Sequence, residues 1–330
     1  MAGESYYLTS LLAPLAEVLG RPDVTDIYIN RPGEFWIETS SGGIARHEAE
    51  ALDETLLGLL VRQIAASTAQ GISRASPLLA AALPDGSRVQ VIAPPATRGT
   101  YAVAIRKHVA GALSLSDYAD SGAFDGLAGG DVSLDAAREL VAISSEQVPS
   151  LLNQAVRSRW NILVSGGTSS GKTTFLDALL RSVPSNQRLI LIEDAPELTL
   201  SQPNAVGLLA ARSALSEANV TAEDLLIAAL RMRPDRIILG ELRGREALTF
   251  LRAVNTGHPG SMTTIHADSP SRAIDQLALL VLQSGARLSW DEIRRYIRLS
   301  VDLFVHLERE GGRRRVTQVL ACRDRRQAAA

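Results

Sequence analysis

The chain has 330 residues, of which 46% are apolar and 21% are charged, and its formal net charge is −2. This length allows two domains with substantial cores, and the near-neutral charge argues against general affinity for nucleic acids. The single cysteine, Cys322, excludes an internal disulfide and a zinc site built from several cysteines, which fits a reducing cytosol.

No targeting or membrane segment is predicted. The first residues lack the basic start and apolar core of a signal peptide, and no apolar run reaches the ~20 residues of a membrane span. The sequence therefore predicts a cytoplasmic protein without a transmembrane segment, which would meet a membrane only by docking on a complex there.

Residues 1–109 are predicted to form an α+β domain. Alternating apolar residues over 26–30 and 34–38 flank a Pro32-Gly33 turn, which predicts a β-hairpin. The other elements expected here are a helix over 52–70, a hairpin that turns at 84–86 and a strand over 101–106.

Residues 110–131 are rich in Gly, Ala, Ser and Asp, and we interpret them as an interdomain linker. From 132 to 330, helical patterns alternate with apolar strands, which is typical of an α/β fold with a mostly parallel sheet and helices on its faces. The strands are predicted at 160–165, 188–193, 236–240 and 261–266, and a terminal antiparallel hairpin flanks Gly311-Gly312.

A glycine-rich run between the strand at 160–165 and a predicted helix satisfies G-x-x-x-x-G-K-[ST] at every fixed position. Its glycines allow successive backbone N–H groups to surround an anion, and the helix adds its dipole. Lys172 is one of only two lysines in the chain, and its compact charge can reach between two phosphates. Thr173 is placed to ligate Mg²⁺. The predicted phosphate-binding residues are Gly166, Gly167, Thr168, Ser169, Ser170, Gly171, Lys172, Thr173 and Thr174.

Each later strand ends in a residue that can take part in phosphate chemistry. Ligands of open α/β sheets lie at the carboxyl ends of the strands, so Glu193, Glu241 and His266 are candidate members of one site. Glu193 or Glu241 would orient the attacking water, and the sequence leaves this choice open. Glu241 is also the candidate for holding Mg²⁺ through water, and a salt bridge from Glu241 to Arg243 is the alternative.

The five histidines are expected to have different roles. His266 ends a predicted strand, where an imidazole can hydrogen-bond a γ-phosphate and respond to its loss. His258 lies in a Gly-Pro loop and is interpreted as a capping or packing residue. For the remaining histidines a core or surface position is expected: His47, His108 and His306.

Four segments resemble, in order, the four boxes of the secretion NTPase superfamily, which includes type II and type IV secretion motors and pilus motors. They are 166–173, 192–194, 230–235 with 240–243, and 256–258 with 264–267. The run 255–260 is most similar to the small traffic ATPase of type IV secretion systems. The resemblance implies a RecA-like domain, a homo-hexameric ring and ATP with Mg²⁺ as cofactors. It also implies other secretion ATPases and inner-membrane components as partners, at the cytoplasmic face of the inner membrane.

The resemblance further implies that arginines of the N-terminal domain reach the nucleotide. Arg88 and Arg106, on predicted strands, are the candidates, and a surface position is the alternative for each. The run 313–315 and the arginine-rich tail 323–326 are interpreted as solvated hairpin ends, with acidic lipid headgroups or a partner protein as the alternative.

The sequence thus predicts an ATPase that powers type IV secretion or conjugative transfer by coupling hydrolysis to domain motion. A pilus assembly or retraction motor is the first alternative, although type II assembly members commonly carry a tetracysteine zinc motif and this chain has one cysteine. A nucleic-acid translocase is disfavoured by the net charge and by an aromatic content of only 4%. A non-catalytic nucleotide-binding scaffold is disfavoured by the two acids at strand ends.

Overall fold

The structure is a computed structural model that describes residues 2–41, 43–107, 113–127, 130–132, 140–210, 220–310 and 313–322. Three features singled out in the sequence lie outside these residues: His108, the Gly311-Gly312 turn and the tail 323–326. The chain divides into two compact units. Unit 1 comprises Met1–Ala110, Asp194–Glu197 and Ala210–Thr221, and unit 2 comprises Gly111–Glu193, Leu198–Leu209 and Ala222–Ala330.

The residues of unit 1 that the structure describes form a six-stranded sheet and three α-helices. The strands are β1 (Val24–Ile29), β2 (Glu34–Thr39), β3 (Ile44–Glu48), β4 (Leu78–Ala82), β5 (Arg88–Ile92) and β6 (Ala102–Arg106). The helices are α1 (Ala2–Leu11), α2 (Ala16–Gly20) and α3 (Glu54–Ser67), with a short 3-10 helix at Ala13–Leu15. The strand order is β3-β2-β1-β6-β5-β4, and every neighbouring pair is antiparallel. Both predicted hairpins and the predicted helix are confirmed.

One face of this sheet carries the core of unit 1. Buried residues alternate with more exposed ones along β5 and β6, so that Val89 and Ile105 are buried while their neighbours Arg88 and Arg106 are on the other face. The helix α3 covers the apolar face with a buried stripe at Leu57, Leu60, Val61 and Ile64.

Unit 2 contains nine strands and seven helices in its described part. The strands are β7 (Gly130–Val132), β8 (Leu140–Ala142), β9 (Ile162–Gly166), β10 (Leu189–Glu193), β11 (Ala205–Leu209), β12 (Arg236–Leu239), β13 (Met262–His266), β14 (Leu303–Glu310) and β15 (Arg313–Cys322). The helices are α4 (Leu115–Asp120), α5 (Val148–Arg157), α6 (Lys172–Arg181), α7 (Ala222–Ala229), α8 (Glu246–Asn255), α9 (Pro270–Gln283) and α10 (Trp290–Ser300), with a 3-10 helix at Ser145–Gln147.

These strands form one mostly parallel sheet in the order β11-β10-β12-β13-β9-β14-β15-β8-β7. The first six strands of this order are parallel, and the last three pair antiparallel. The strands β9, β10 and β12 are buried along their whole length because helices cover both faces. One core lies against α4, α5 and α6, and the other lies against α7 to α10. The predicted α/β class, with a smaller α+β unit before it, is confirmed.

The segment interpreted as a linker contains more structure than its composition indicates. The helix α4 begins with a capping box in which the Asp117 backbone N–H donates to the Ser114 hydroxyl at 3.2 Å. Tyr118 and Phe124 are buried in the core of unit 2 and stack on each other. A helix of only six residues is too short to show a clear period, which is why the sequence did not reveal it.

Candidate active site

The polar residues predicted from the sequence meet at the carboxyl edge of the unit 2 sheet. The strands β10, β12, β13 and β9 are neighbours in that order and run parallel, so their last residues share one edge. Along this edge lie Glu193 at the end of β10, Glu241 after β12, His266 at the end of β13 and the glycine loop after β9. Four segments that are distant in the sequence are therefore adjacent in space.

The glycine loop connects β9 to α6 through residues that need unusual backbone angles. Ser169 and Gly171 have φ values of 61° and 94°, in the left-handed region, and Gly171 is the N-cap of α6. A Cβ added to Gly166 would collide with the backbone oxygen of Leu307. The first N–H groups of α6 have no acceptor within the helix, so the loop and helix start offer donors to an anion. Thr173 and Thr174 lie in this first turn and are half-buried.

Lys172 is held within the loop that it follows. Its side chain is 8% exposed, and its ammonium donates to the backbone oxygens of Gly166 and Gly167, each at 2.9 Å. The same Nζ lies 3.5 Å from Nε2 of His266. The charge is thus fixed between the loop and the end of the neighbouring strand, where the phosphates of a bound nucleotide would compete for it.

Glu241 and His266 connect this lysine to the next strand end. His266 Nε2 lies 3.2 Å from Glu241 Oε1. The other carboxylate oxygen, Glu241 Oε2, accepts a hydrogen bond from Arg243 Nε at 2.5 Å. The salt bridge to Arg243 that the sequence left as an alternative is therefore present, together with the contact to His266. Polar atoms of Lys172, His266, Glu241 and Arg243 therefore follow one another, each within 3.5 Å of the next.

Two residues that sequence reasoning did not single out support this chain of contacts. Glu246 is buried at the start of α8, and its Oε1 accepts hydrogen bonds from the backbone N–H groups of Arg243 at 2.7 Å and Gly244 at 2.8 Å. The Thr264 hydroxyl donates to the backbone oxygen of Gly240 at 2.8 Å. The sequence pattern that could have indicated this role of Glu246 is a glutamate in the first turn of a helix, two residues after a glycine.

Glu193 is buried beside the β12 strand end. The residue as a whole is 8% exposed. Its Oε1 accepts a hydrogen bond from the Leu198 N–H at 2.9 Å. A Cβ added to Gly240 would lie 3.5 Å from Glu193 Cγ. Gly240 is therefore in van der Waals range of the Glu193 side chain.

The other described histidines have different hydrogen-bond and stacking partners. His258 follows α8, and its Nδ1 lies 3.3 Å from the backbone oxygen of Ala253. His306 is buried with Nδ1 2.9 Å from the Ser165 hydroxyl, and burial lowers the pKa of its imidazole. His47 stacks on Phe35 in unit 1.

Arg88 and Arg106 are brought together in unit 1. They face each other in the register of β5 and β6, on the face of the sheet opposite the core. Arg106 also lies opposite Asp26 of β1, and Arg88 forms an ion pair with Glu197 of the same unit.

A protein-only metal cage and a membrane-spanning helix are both lacking from the described part of the chain. No group of three or more His, Cys, Asp or Glu side chains there is arranged to hold a metal ion. None of the described helices is long and apolar enough to cross a membrane.

Residues 132–325 match the family described as "Type II/IV secretion system protein". The chain belongs to this family. It is 37% identical over 326 residues to the type IV secretion system protein VirB11 of Bartonella quintana, and the match covers 93% of this chain and 91% of that protein.

Two solved structures are similar to this chain. The VirB11 ATPase of the Brucella suis type IV secretion system, crystallised with sulphate, is 37% identical, with a TM-score of 0.50 over 97% of this chain and 99% of that chain. The pilus retraction motor PilT with bound ADP has a TM-score of 0.60, and the match covers 94% of this chain and 82% of that chain. It is only 20% identical, so it supports the fold alone. The resemblance drawn from the four boxes is confirmed.

Proposed function

We propose that this protein is the ATPase of a type IV secretion system and hydrolyses ATP at the carboxyl edge of the unit 2 sheet. The contacts from Lys172 through His266 to Glu241, beside a glycine loop that opens a helix, carry this proposal. Membership of the secretion family and 37% identity to a VirB11 protein over 93% of the chain support it. The pilus motor stays the weaker alternative, because PilT shares the fold at only 20% identity.

The glycine loop would bind the phosphates. Its backbone N–H groups and the start of α6 face the anion, and Lys172 exchanges its two loop carbonyls for oxygens of the β- and γ-phosphates. Thr174, in the first turn of α6, would donate to the α-phosphate. A lysine that is already buried and oriented loses little side-chain freedom when the nucleotide binds.

The residues present fit a Mg²⁺ ion that arrives with the nucleotide. Protein sites for Mg²⁺ in nucleotide hydrolases use a hydroxyl, one or two carboxylates, phosphate oxygens and water, and no closed protein cage. The half-buried Thr173 hydroxyl and the Glu241 carboxylate are the donors that would hold it, Glu241 through water. When bound, the ion supplies positive charge to the β- and γ-phosphate oxygens.

Hydrolysis would proceed by in-line attack of water on the γ-phosphorus. The water oxygen forms the new P–O bond as the bond to the bridging β–γ oxygen breaks, which releases ADP and inorganic phosphate. We assign Glu193 as the base that accepts the water proton, because Glu241 is paired with Arg243 through Oε2 and is the candidate for holding Mg²⁺ through water. His266, between Lys172 and Glu241, would hydrogen-bond the γ-phosphate and respond to its departure.

Unit 1 would contribute through its paired arginines. We propose that Arg88 and Arg106 stabilise the phosphates, as the resemblance implies, and that hydrolysis is thereby coupled to domain motion. The proposed domain boundaries stay at 1–109, 110–131 and 132–330. A homo-hexameric ring, other ATPases of the secretion system and inner-membrane components are the proposed partners, at the cytoplasmic face of the inner membrane.

The test of the site is Lys172→Ala, which should abolish phosphate release from ATP. The chain offers a matched control, because the only other lysine, Lys107, donates to the backbone oxygen of Arg21 in unit 1. Lys107→Ala should retain wild-type turnover. The unfolding temperature of unit 2 should be close to the wild-type value in both variants, which would show that unit 2 remains folded. Turnover by Lys172→Ala at the wild-type rate would remove the phosphate-loop assignment.

The test of the ring is sedimentation with Mg²⁺ and a non-hydrolysable nucleotide. A closed ring built from head-to-tail contacts should sediment as one hexameric species. Only monomer at micromolar concentration would contradict the ring and leave the ATPase proposal standing.

A further inference from the structure

The hairpin β14-β15 extends past the glycine loop. In the parallel pairing of β14 with β9, Leu307 lies opposite Gly166, the last residue of β9. The hairpin continues beyond that point through the pairs Glu308↔Arg315, Arg309↔Arg314 and Glu310↔Arg313. The arginine run that the sequence left as a solvated hairpin end therefore stands beside the phosphate-binding loop.

One of these arginines lies directly against the loop. A Cβ added to Gly171 would be 2.9 Å from Cδ of Arg314 and 3.5 Å from its Nε. Gly171 is the N-cap of α6, so the Arg314 stem runs along the start of that helix. The φ of 94° favours glycine at this position, and the Arg314 side chain lies where a Cβ would be.

The backbone that follows Arg314 is anchored. Arg315 Nη2 donates to the backbone oxygen of Asp125 at 3.0 Å, and the N–H of Val316 donates to the backbone oxygen of Ala123 at 2.8 Å. These contacts join β15 to the turn after α4, within unit 2. The charge of Arg314 also reaches α4, where burial raises the pKa of the Tyr118 phenol to about 12 and the arginine opposes that rise.

The strand order indicates which phosphate of a bound nucleotide would lie next to Arg314. The loop follows β9, with β13 on one side and β14 on the other. His266 and Glu241, which would act on the γ-phosphate, are on the β13 side. A phosphate chain that lies along the loop with its γ-phosphate there has its α-phosphate on the β14 side, where Arg314 is.

We propose that Arg314 is a nucleotide-binding residue that holds the α-phosphate, an inference that rests on the proposed ATPase function and adds a residue to its site. A guanidinium is always charged and offers paired N–H groups that match two phosphate oxygens. Both ATP and ADP carry the α-phosphate, so Arg314 retains the nucleotide before and after hydrolysis. It therefore contributes to binding and not to the bond-breaking step.

The test compares Arg314→Gln with the matched variant Arg313→Gln, which removes the same charge from the next position of the same hairpin. Dissociation constants are measured by calorimetry for ATP (in the presence of EDTA), ADP and inorganic tripolyphosphate. Arg314→Gln should weaken all three by about tenfold, the range for a lost charged hydrogen bond. Its KM for ATP should rise by a similar factor while kcat stays within about twofold of wild type. Arg314→Lys should fall between wild type and Arg314→Gln, and Arg313→Gln should match wild type.

Three results would overturn the inference, and they differ from one another. Unchanged affinities for ATP and ADP in Arg314→Gln would show that the side chain does not touch the nucleotide. Weaker binding of ATP and ADP with unchanged binding of tripolyphosphate would place Arg314 on the base or ribose. Failure of the wild-type protein to bind any nucleotide would overturn the proposed function and this inference with it.

Discussion

The two sheets of this protein use charged side chains in different ways. In unit 1, Glu34 is 5% exposed, and its carboxylate contacts Arg31 at 2.9 Å and Arg46 at 2.7 Å. These three residues belong to one hairpin region of the chain, 31–46. In unit 2, Lys172, His266 and Glu241 come from three distant segments and meet at one edge.

Strand direction accounts for this difference. Neighbouring strands of an antiparallel sheet end at opposite edges, so charges pair locally across a hairpin. Neighbouring strands of a parallel sheet all end at the same edge, so each strand can deliver a functional group to one place. Charges that pair within one hairpin region, such as Glu34 with Arg31 and Arg46, are then expected to serve stability, and charges at the parallel edge are expected to serve chemistry.

The strongest test of this contrast is the removal of the strand-end acids. Glu193→Gln should lower kcat by about two to four orders of magnitude, the usual contribution of a general base. The amide keeps an oxygen for the Leu198 N–H, so the unfolding temperature should change little. ATP binding should persist, as measured by calorimetry, and phosphate release should stall.

Glu241→Gln serves as the internal comparison for the choice of base. It should also stall hydrolysis, with an added loss of Mg²⁺ dependence, because Glu241 is assigned to the metal-bound water. Whichever of the two variants hydrolyses ATP at the wild-type rate has not lost the base. A large drop in the unfolding temperature of either variant would break the contrast between the two sheets.

His266→Ala is expected to have a smaller effect. The imidazole would contact the γ-phosphate, which ATP has and ADP lacks, so the variant should lose about tenfold in ATP affinity and keep its ADP affinity. His258→Ala is the matched control, because that residue lies by the Ala253 carbonyl at the other edge of the sheet. Equal losses for ATP and ADP in His266→Ala would contradict the assignment to the γ-phosphate.

Periodicity and motif spacing were sufficient to predict the edge of unit 2. The strands β9, β10, β12 and β13 were each predicted within two residues of their observed bounds, because buried parallel strands are continuous apolar runs. The glycine loop and the residues at the strand ends then followed from the rule that ligands bind at carboxyl ends. Which of these groups touch each other could not be read from the sequence, because the order β12-β13-β9 depends on tertiary packing.

Residues whose role depends on long-range packing were missed. The sequence does not distinguish Arg314 from the arginines beside it, because only the β14-β9 pairing shows that the hairpin passes the loop. Arg236 looked like the start of a strand, but it is fully buried and donates to Gln187, Val156 and Gly260. The sequence indicates only that Glu34 is a strand residue, because its contact with Arg46 depends on the β2-β3 pairing.

Glu34→Gln tests the structural side of the contrast. It removes the charge that both arginines contact, so the unfolding temperature of unit 1 should fall by a few degrees while the kcat and KM of unit 2 chemistry stay unchanged. Glu48→Gln is the matched control, because Glu48 is 81% exposed and lies 3.7 Å from Arg46. A changed kcat in Glu34→Gln would show that this locally paired charge also serves chemistry.

The stabilising effect of the Glu34 carboxylate is also expected to depend on pH. The hydrogen bond from Arg31, together with Arg46, lowers the pKa of the Glu34 carboxyl from 4.5 to about 2 in the folded protein. A lowered folded pKa stabilises the protein fully above the unfolded value and loses that effect as the pH falls through the folded value. The difference in unfolding temperature between wild type and Glu34→Gln should therefore be full above about pH 4.5 and shrink toward pH 2.

The smallest expected effect on stability comes from removing the N-cap of α3, Asp53, which is a charged residue that stabilises a single helix. Asp53 Oδ1 accepts a hydrogen bond from the Leu56 N–H at 2.7 Å, so Asp53→Ala should cost about 1 kcal/mol in the free energy of unfolding. Asp53→Asn keeps an oxygen acceptor at the same position and should cost little, which separates the cap from the charge. Both are measured by urea denaturation at neutral pH. Equal losses in the two variants would mean that the charge of Asp53, and not its hydrogen bond, stabilises unit 1.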